Sequence, residues 1–224
     1  RFFMLPGQII GVFCTLSAVA LGLVAGLIIK VLSNELSLLT TLFYRFLFCL
    51  PLIAGVALWV RGGDFLKLQQ KKTMFFRIVF GLTGMLLWFL ALRNISFGQA
   101  TALFQSSVLF VTLASPLVLS ERVGPFRMSA VLVGMVGIVL LTDPFSAPLT
   151  KGILYALAGA VVHAGLSLSL RRLGKLDEPV TIALLHNLAG FVVWSSCFLL
   201  FPAQWQVPIG QQWILLVALG VISS

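Results

Sequence analysis

Arg45 places a guanidinium well inside the otherwise apolar stretch 38–60. A charge at that depth costs a few kcal/mol, of order 3, unless it is paired, hydrated or able to reach the interface. Three chemistries fit it: snorkelling to the headgroups, pairing with a carbonyl or another helix, or direct contact with a carboxylate or phosphate of a bound molecule. His163 and His186 are the only histidines, and both fall in apolar stretches. An imidazole titrates near neutral pH, so such a pair can couple or relay protons; each can equally pack as a neutral, hydrogen-bonded ring. Gln99, Gln105, Ser106 and Ser107 polarise the stretch 97–119, offering hydrogen bonds to a ligand or between helices. Gln99 and Ser106, seven residues apart, share a helical face. Asn187 adds an amide beside His186, turned roughly 100° away on a helix. Trp88 offers a ring, for packing or for stacking. Lys30 ends the first apolar stretch, either as a helix-terminal cation or as a gate residue paired with Glu35. The candidate binding set is therefore Arg45, Trp88, Gln105, Ser106, His163, His186 and Asn187, and the gating or coupling set is Lys30, His163 and His186.

The chemistry of catalysis is not in this pattern. There is no HExxH, no GxSxG and no pair of carboxylates placed for acid–base work. Cys14, Cys49 and Cys197 lie in apolar stretches without metal-ligand spacing and read as small packing residues. No metal and no cofactor is expected.

Eight apolar stretches must position these residues, at approximately 8–29, 38–60, 74–92, 97–119, 128–142, 152–170, 179–201 and 210–224. About 20 apolar residues cross the roughly 30 Å hydrocarbon core of a bilayer as a helix. The basic residues mark every second gap: Arg61, Lys67, Lys71, Lys72 and Arg77 in the second, Arg122 and Arg127 in the fourth, Arg171, Arg172 and Lys175 in the sixth. The odd gaps hold only Lys30, Arg93 and Lys151. Positive residues stay in the cytoplasm during insertion, so the even gaps are expected to be cytoplasmic and the N-terminus inside. The first stretch reads as a true span rather than a cleavable signal.

Composition agrees: 60% hydrophobic, 9% charged and a mean hydropathy of +1.11 exclude an ordinary soluble domain. The net charge of +9 sits in short loops, where it orients helices and meets anionic lipid rather than nucleic acid. Trp59, Trp205 and Trp213 read as interface anchors. Gly22 and Gly26, Gly81 and Gly84, Gly134 and Gly137, Gly159 and Gly165 read as helix-packing residues.

At an offset of 141 residues the chain weakly resembles itself, with Lys30 on Arg171, Leu32 on Leu173, Thr40 on Thr181 and Arg45 on His186. The repeat unit is then five helices, and an odd number of spans inverts the second copy. Inverted repeats enclose substrate sites near the midplane in many secondary transporters. The expected division is 1–144 for the first repeat and 145–224 for the second. Ten helices are expected from such a plan, so about two more, roughly 60–75 residues, are expected beyond Ser224.

Several local motifs resemble one family in order along the chain: Gly26-Leu-Ile-Ile-Lys30, Tyr44-Arg-Phe-Leu-Phe48, Leu117-Val-Leu-Ser-Glu-Arg-Val123, Gly134-Met-Val-Gly-Ile-Val-Leu-Leu141 and Leu170-Arg-Arg172. They resemble the EamA-type ten-helix members of the drug/metabolite transporter superfamily. The chain departs from that pattern at Leu21, Val108 and His163, positions that face the family's central cavity. The resemblance implies an all-α membrane bundle of two inverted five-helix repeats in a bacterial inner membrane. It implies alternating-access transport of a small metabolite, leaning towards export, with lipid as surroundings and protons as candidate coupling ions. The stretches carry no core Asp or Glu, which points to amino-acid-like, anionic, zwitterionic or neutral cargo rather than cations. A channel or assembly subunit is the alternative. Oligomeric state is left open.

Overall fold

A computed structural model describes residues 6–64, 66–119, 123–142 and 150–223. The described chain folds into nine α-helices: α1 Pro6–Leu32, α2 Leu38–Arg61, α3 Lys71–Asn94, α4 Phe97–Gln105, α5 Ser107–Leu119, α6 Pro125–Thr142, α7 Lys151–Leu173, α8 Pro179–Leu200 and α9 Gln211–Ile222. Seven spans among the described residues are long and apolar enough to cross a membrane, with α4 and α5 together forming one of them; α9 is apolar but shorter. The protein is a multi-pass membrane helix bundle. A bilayer offers backbone groups no water, so each span bonds its own N–H and C=O groups along a helix.

Two differences from the sequence reading bear on the site. The stretch 97–119 is two helices rather than one. At Ser106 both the backbone N–H (3.2 Å) and the hydroxyl (2.5 Å) turn back to the Leu103 carbonyl, tightening the turn and ending α4. Gln99 and Ser106 therefore do not lie on one continuous helical face. The third helix begins at Lys71 instead of 74, so Arg77, counted with the charges of the second gap, stands nearly two turns inside the membrane-spanning helix. Glu121 and Arg122 lie outside the described residues.

The helices pack in a symmetric pattern. α3 runs against α7 as α1 runs against α9; α2 meets α9 as α3 meets α8; and α2 packs along α8. Exchanging α1, α2 and α3 with α7, α8 and α9 leaves this pattern of partners unchanged. The core at these interfaces holds Leu32, Leu42, Phe46, Leu92, Leu103, Leu216 and Leu219. Glycines bring the backbones together. A Cβ at Gly190 would lie 2.3 Å from the Phe46 ring, and one at Gly220 2.5 Å from Phe48 Cβ. Of the glycines singled out by sequence, Gly26, Gly81, Gly134, Gly159 and Gly165 are close-packed, Gly84 has ordinary contacts, and Gly22 and Gly137 face open space.

The turn after α1 and the turn after α7 share one backbone geometry, 141 residues apart. Leu36 N–H bonds Leu32 O at 2.8 Å and Asp177 N–H bonds Leu173 O at 2.9 Å; Glu35 to Leu32 (3.0 Å) matches Leu176 to Leu173 (3.1 Å). Each turn leads into an extended N-cap, Ser37 at φ −65° and Glu178 at φ −70°. The Asp177 carboxylate accepts from the backbone N–H of Gln69 at 2.6 Å and of Gln70 at 3.2 Å, joining the second and sixth gaps. Ser37 N–H donates to Gln206 Oε1 at 2.6 Å, joining the first and seventh gaps. Even gaps meet even and odd meet odd, as antiparallel neighbours require. Trp205 does not stand as an isolated anchor. It stacks edge-on against Phe198 at 3.8 Å between ring centroids and packs near Phe43 and Tyr44.

Candidate functional site

A cavity of about 490 Å³ opens between α1, α2, α3, α4, α7 and α8 and the end of α9. Its polar and aromatic wall includes Arg45, Arg77, Trp88, Phe104, His163 and His186. Among the described residues the lining contains two guanidiniums and no Asp or Glu. The local charge is therefore positive inside the membrane-spanning part of the molecule, where the low dielectric strengthens it.

Arg45 projects from α2, about two turns from its start. Its Nε donates to Ser223 Oγ at 3.1 Å, Nη1 faces Met85 Sδ at 2.8 Å, and the guanidinium carbon lies 5.1 Å from the Phe46 ring centre. These partners are neutral, so they orient the cation without neutralising it. Arg45 reaches across the bundle to α9 instead of snorkelling.

Arg77 was missed by sequence reading, which counted it with the cytoplasmic charges. It stands on α3, and its guanidinium folds one turn deeper, against Gly81. A Cβ at Gly81 would meet Arg77 Nη1 at 2.8 Å and His186 Cε1 at 2.6 Å. Gly81 thus leaves the space in which an arginine and an imidazole from different helices lie together. Arg77 Nε and Nη1 and His186 Nδ1 are buried and meet no hydrogen-bond partner. The signal available in the sequence was the glycine one helical turn after the arginine, on the same face.

The remaining wall is aromatic. Trp88 on α3 lies 4.8 Å, ring to ring, from Phe104 on α4. Phe104 in turn lies 5.0 Å from the His163 ring. His163 Nδ1 shares a hydrogen bond with Ser107 Oγ at 3.2 Å. The break at Ser106 starts α5 at Ser107, the residue whose hydroxyl meets this histidine.

Of the residues expected to act together, Arg45, Trp88, Gln105, His163 and His186 line the cavity. Ser106 does not: it is buried with its hydroxyl on the Leu103 carbonyl. Asn187 is buried away from the cavity, donating to Ala183 O at 2.9 Å and accepting from Cys49 Sγ at 3.3 Å. The helical turn that aims His186 inward aims its neighbour at α2. Lys30 does not pair with Glu35. Its ammonium donates to the carbonyls of Leu92 and, at 3.0 Å, Ile95, satisfying the open end of α3. Glu35 instead accepts from Gln212 Nε2 at 2.9 Å.

A family model described as the EamA-like transporter family matches residues 9–143. The chain belongs to the EamA-like transporter family. Within that family, and the drug/metabolite transporter superfamily to which it belongs, it is 31% identical to a riboflavin transporter of Vibrio cholerae, over 71% of this chain and 53% of that protein. It is 28% identical to the aromatic amino acid exporter YddG of Ancylobacter novellus, over 82% of this chain and 64% of the exporter. It is equally 28% identical to the pseudopaline exporter CntI of Pseudomonas aeruginosa, over 73% and 57%. This EamA chain spans about half to two thirds of the length of such relatives. A solved crystal structure superposes with a TM-score of 0.61 at 25% identity, covering 92% of this chain and 74% of the other.

Proposed function

We propose that this EamA protein is a secondary transporter of small organic acids or zwitterions, working by alternating access in a bacterial inner membrane with its N-terminus cytoplasmic. The observation that carries this reading is the cavity wall with two arginines and no carboxylate. Such a wall favours a carboxylate or phosphate and repels an organic cation. Membership of a transporter family supports the activity, and the gap-by-gap charge alternation supports the orientation. Two inverted repeats, 1–144 and 145–224, are supported by the shared turn geometry and the exchangeable packing pattern. The repeats would rock about the cavity, exposing it to one side at a time. The relatives include exporters as well as transporters, and export is the direction we favour.

His186 is the better placed of the two histidines to couple protons. Its Nδ1 is without a partner beside the cavity, whereas the Nδ1 of His163 is occupied by Ser107.

The test is exchange in liposomes. The full-length protein is reconstituted with a mixture of organic and amino acids inside, and labelled acids are supplied outside. Saturable exchange that falls at least tenfold in Arg45→Ala, in protein that still elutes as a monodisperse species, is the expected result. Flux that does not saturate and shows no counterflow would instead indicate a channel.

A further inference from the structure

Arg45 and Arg77 approach the cavity from opposite ends of the membrane, each about two helical turns from the start of its own helix. α2 and α3 are antiparallel, so the two guanidiniums come from opposite faces of the bundle. Arginine near a helix end normally extends towards the headgroups. Arg77 does the reverse, lying over Gly81, one turn further into the span. Its Nε and Nη1 are buried without an acceptor, and the Nδ1 of the adjacent His186 is buried without a partner. Buried donors in proteins are nearly always satisfied. Donors left open on a cavity wall mark where a ligand's acceptors belong.

Resting on the transporter reading above, we propose that Arg77 and His186 form a second anion subsite opposite Arg45, and that the cargo carries two acidic groups on a flat skeleton. One acid group would bind Arg45, which already has Ser223 and Met85 as neutral partners. The second would accept from Arg77, whose planar fork suits a carboxylate or phosphate. On the same cavity wall, the Trp88–Phe104 pair, one helical turn past the Met85 that meets Arg45, gives the skeleton an aromatic face. A singly charged ligand would leave one guanidinium uncompensated in the low-dielectric interior, and that residual cost sets the preference.

The experiment compares terephthalate, a flat ring with carboxylates at opposite ends, with benzoate, the same ring with one. Affinity is read from the ligand-dependent rise in thermal unfolding midpoint of the full-length protein in lipid nanodiscs, at pH 7.5 and fixed ionic strength. Labelled benzoate exchange in liposomes runs in parallel. The expected result is terephthalate bound at least tenfold more tightly than benzoate, with Arg77→Gln losing at least tenfold more affinity for terephthalate than for benzoate. Arg77→Lys, which keeps the charge, should recover part of that discrimination and guards against a misfolded Gln variant. Equal affinity for the two acids, or equal losses in Arg77→Gln, would overturn the second subsite while saturable benzoate exchange left the transporter reading standing. Failure of both acids to bind and to exchange would sink the two together.

Discussion

The turn from Leu32 to Ser37 and the turn from Leu173 to Glu178 have the same backbone and different chemistry. Both begin at a fully buried leucine, and both lead to a fully buried threonine, Thr40 or Thr181. The backbone hydrogen bonds agree to within about 0.1 Å. Yet the first turn is held by the neutral amide of Gln206, and the second by the carboxylate of Asp177, which takes two backbone N–H groups. Five residues further into each helix past the threonine, the difference grows: Arg45 stands at the position that the 141-residue offset matches to His186. Backbone geometry is held because it fixes how α2 and α8 enter the bundle. Side chains diverge where they face the cavity or the loops, since nothing there requires symmetry.

Breaking the comparison at the cavity should have the largest effect. Arg45→His makes the two helices alike at this position but removes the donor to Ser223, and organic-acid exchange in liposomes is expected to fall by more than tenfold. A rate within twofold of the unaltered protein would mean that either side chain serves, and that the asymmetry carries no function.

The turns themselves come next. Asp177→Leu removes a charged acceptor from two backbone N–H groups, at a cost of about 2–3 kcal/mol. Gln206→Leu removes one neutral acceptor from Ser37 N–H, costing about 1 kcal/mol. Thermal unfolding in a single detergent should rank Asp177→Leu clearly below Gln206→Leu. Equal shifts would show that the two turns are held mainly by packing.

The smallest effect separates the threonines. Thr181 Oγ1 accepts from Arg61 at 2.8 Å, and Thr40 Oγ1 meets both Ser37 Oγ at 2.8 Å and Gln206 N–H at 3.3 Å. Val at either position should lower stability by about 1 kcal/mol, with Thr181→Val the more costly because its partner is charged. The same unfolding assay checks the order.

The spans were legible in the sequence because hydrocarbon imposes them residue by residue. Each span must be apolar over about 20 positions, and each gap carries its charge bias locally. The offset of 141 even set Arg45 over His186 before any contact was known. Whether a polar side chain faces the cavity was less legible. Asn187 is one residue from His186, yet it binds Cys49 across α2. Ser106 was grouped with Gln105, yet its hydroxyl ends α4. Arg77 looked like one more loop cation, since Lys71 and Lys72 precede it by about a turn and a half.

The sequence alone therefore determined which segments lie in the membrane, their alternating direction and the charge left among them, since those follow from solvation of each residue by lipid or water. Only the tertiary structure decided that Arg77 turns inward over Gly81 to meet His186, that Lys30 holds the end of α3, and that the break at Ser106 lets Ser107 hold His163. Those facts depend on which helices touch and on the space a missing Cβ leaves between them, and no single segment encodes its own neighbours.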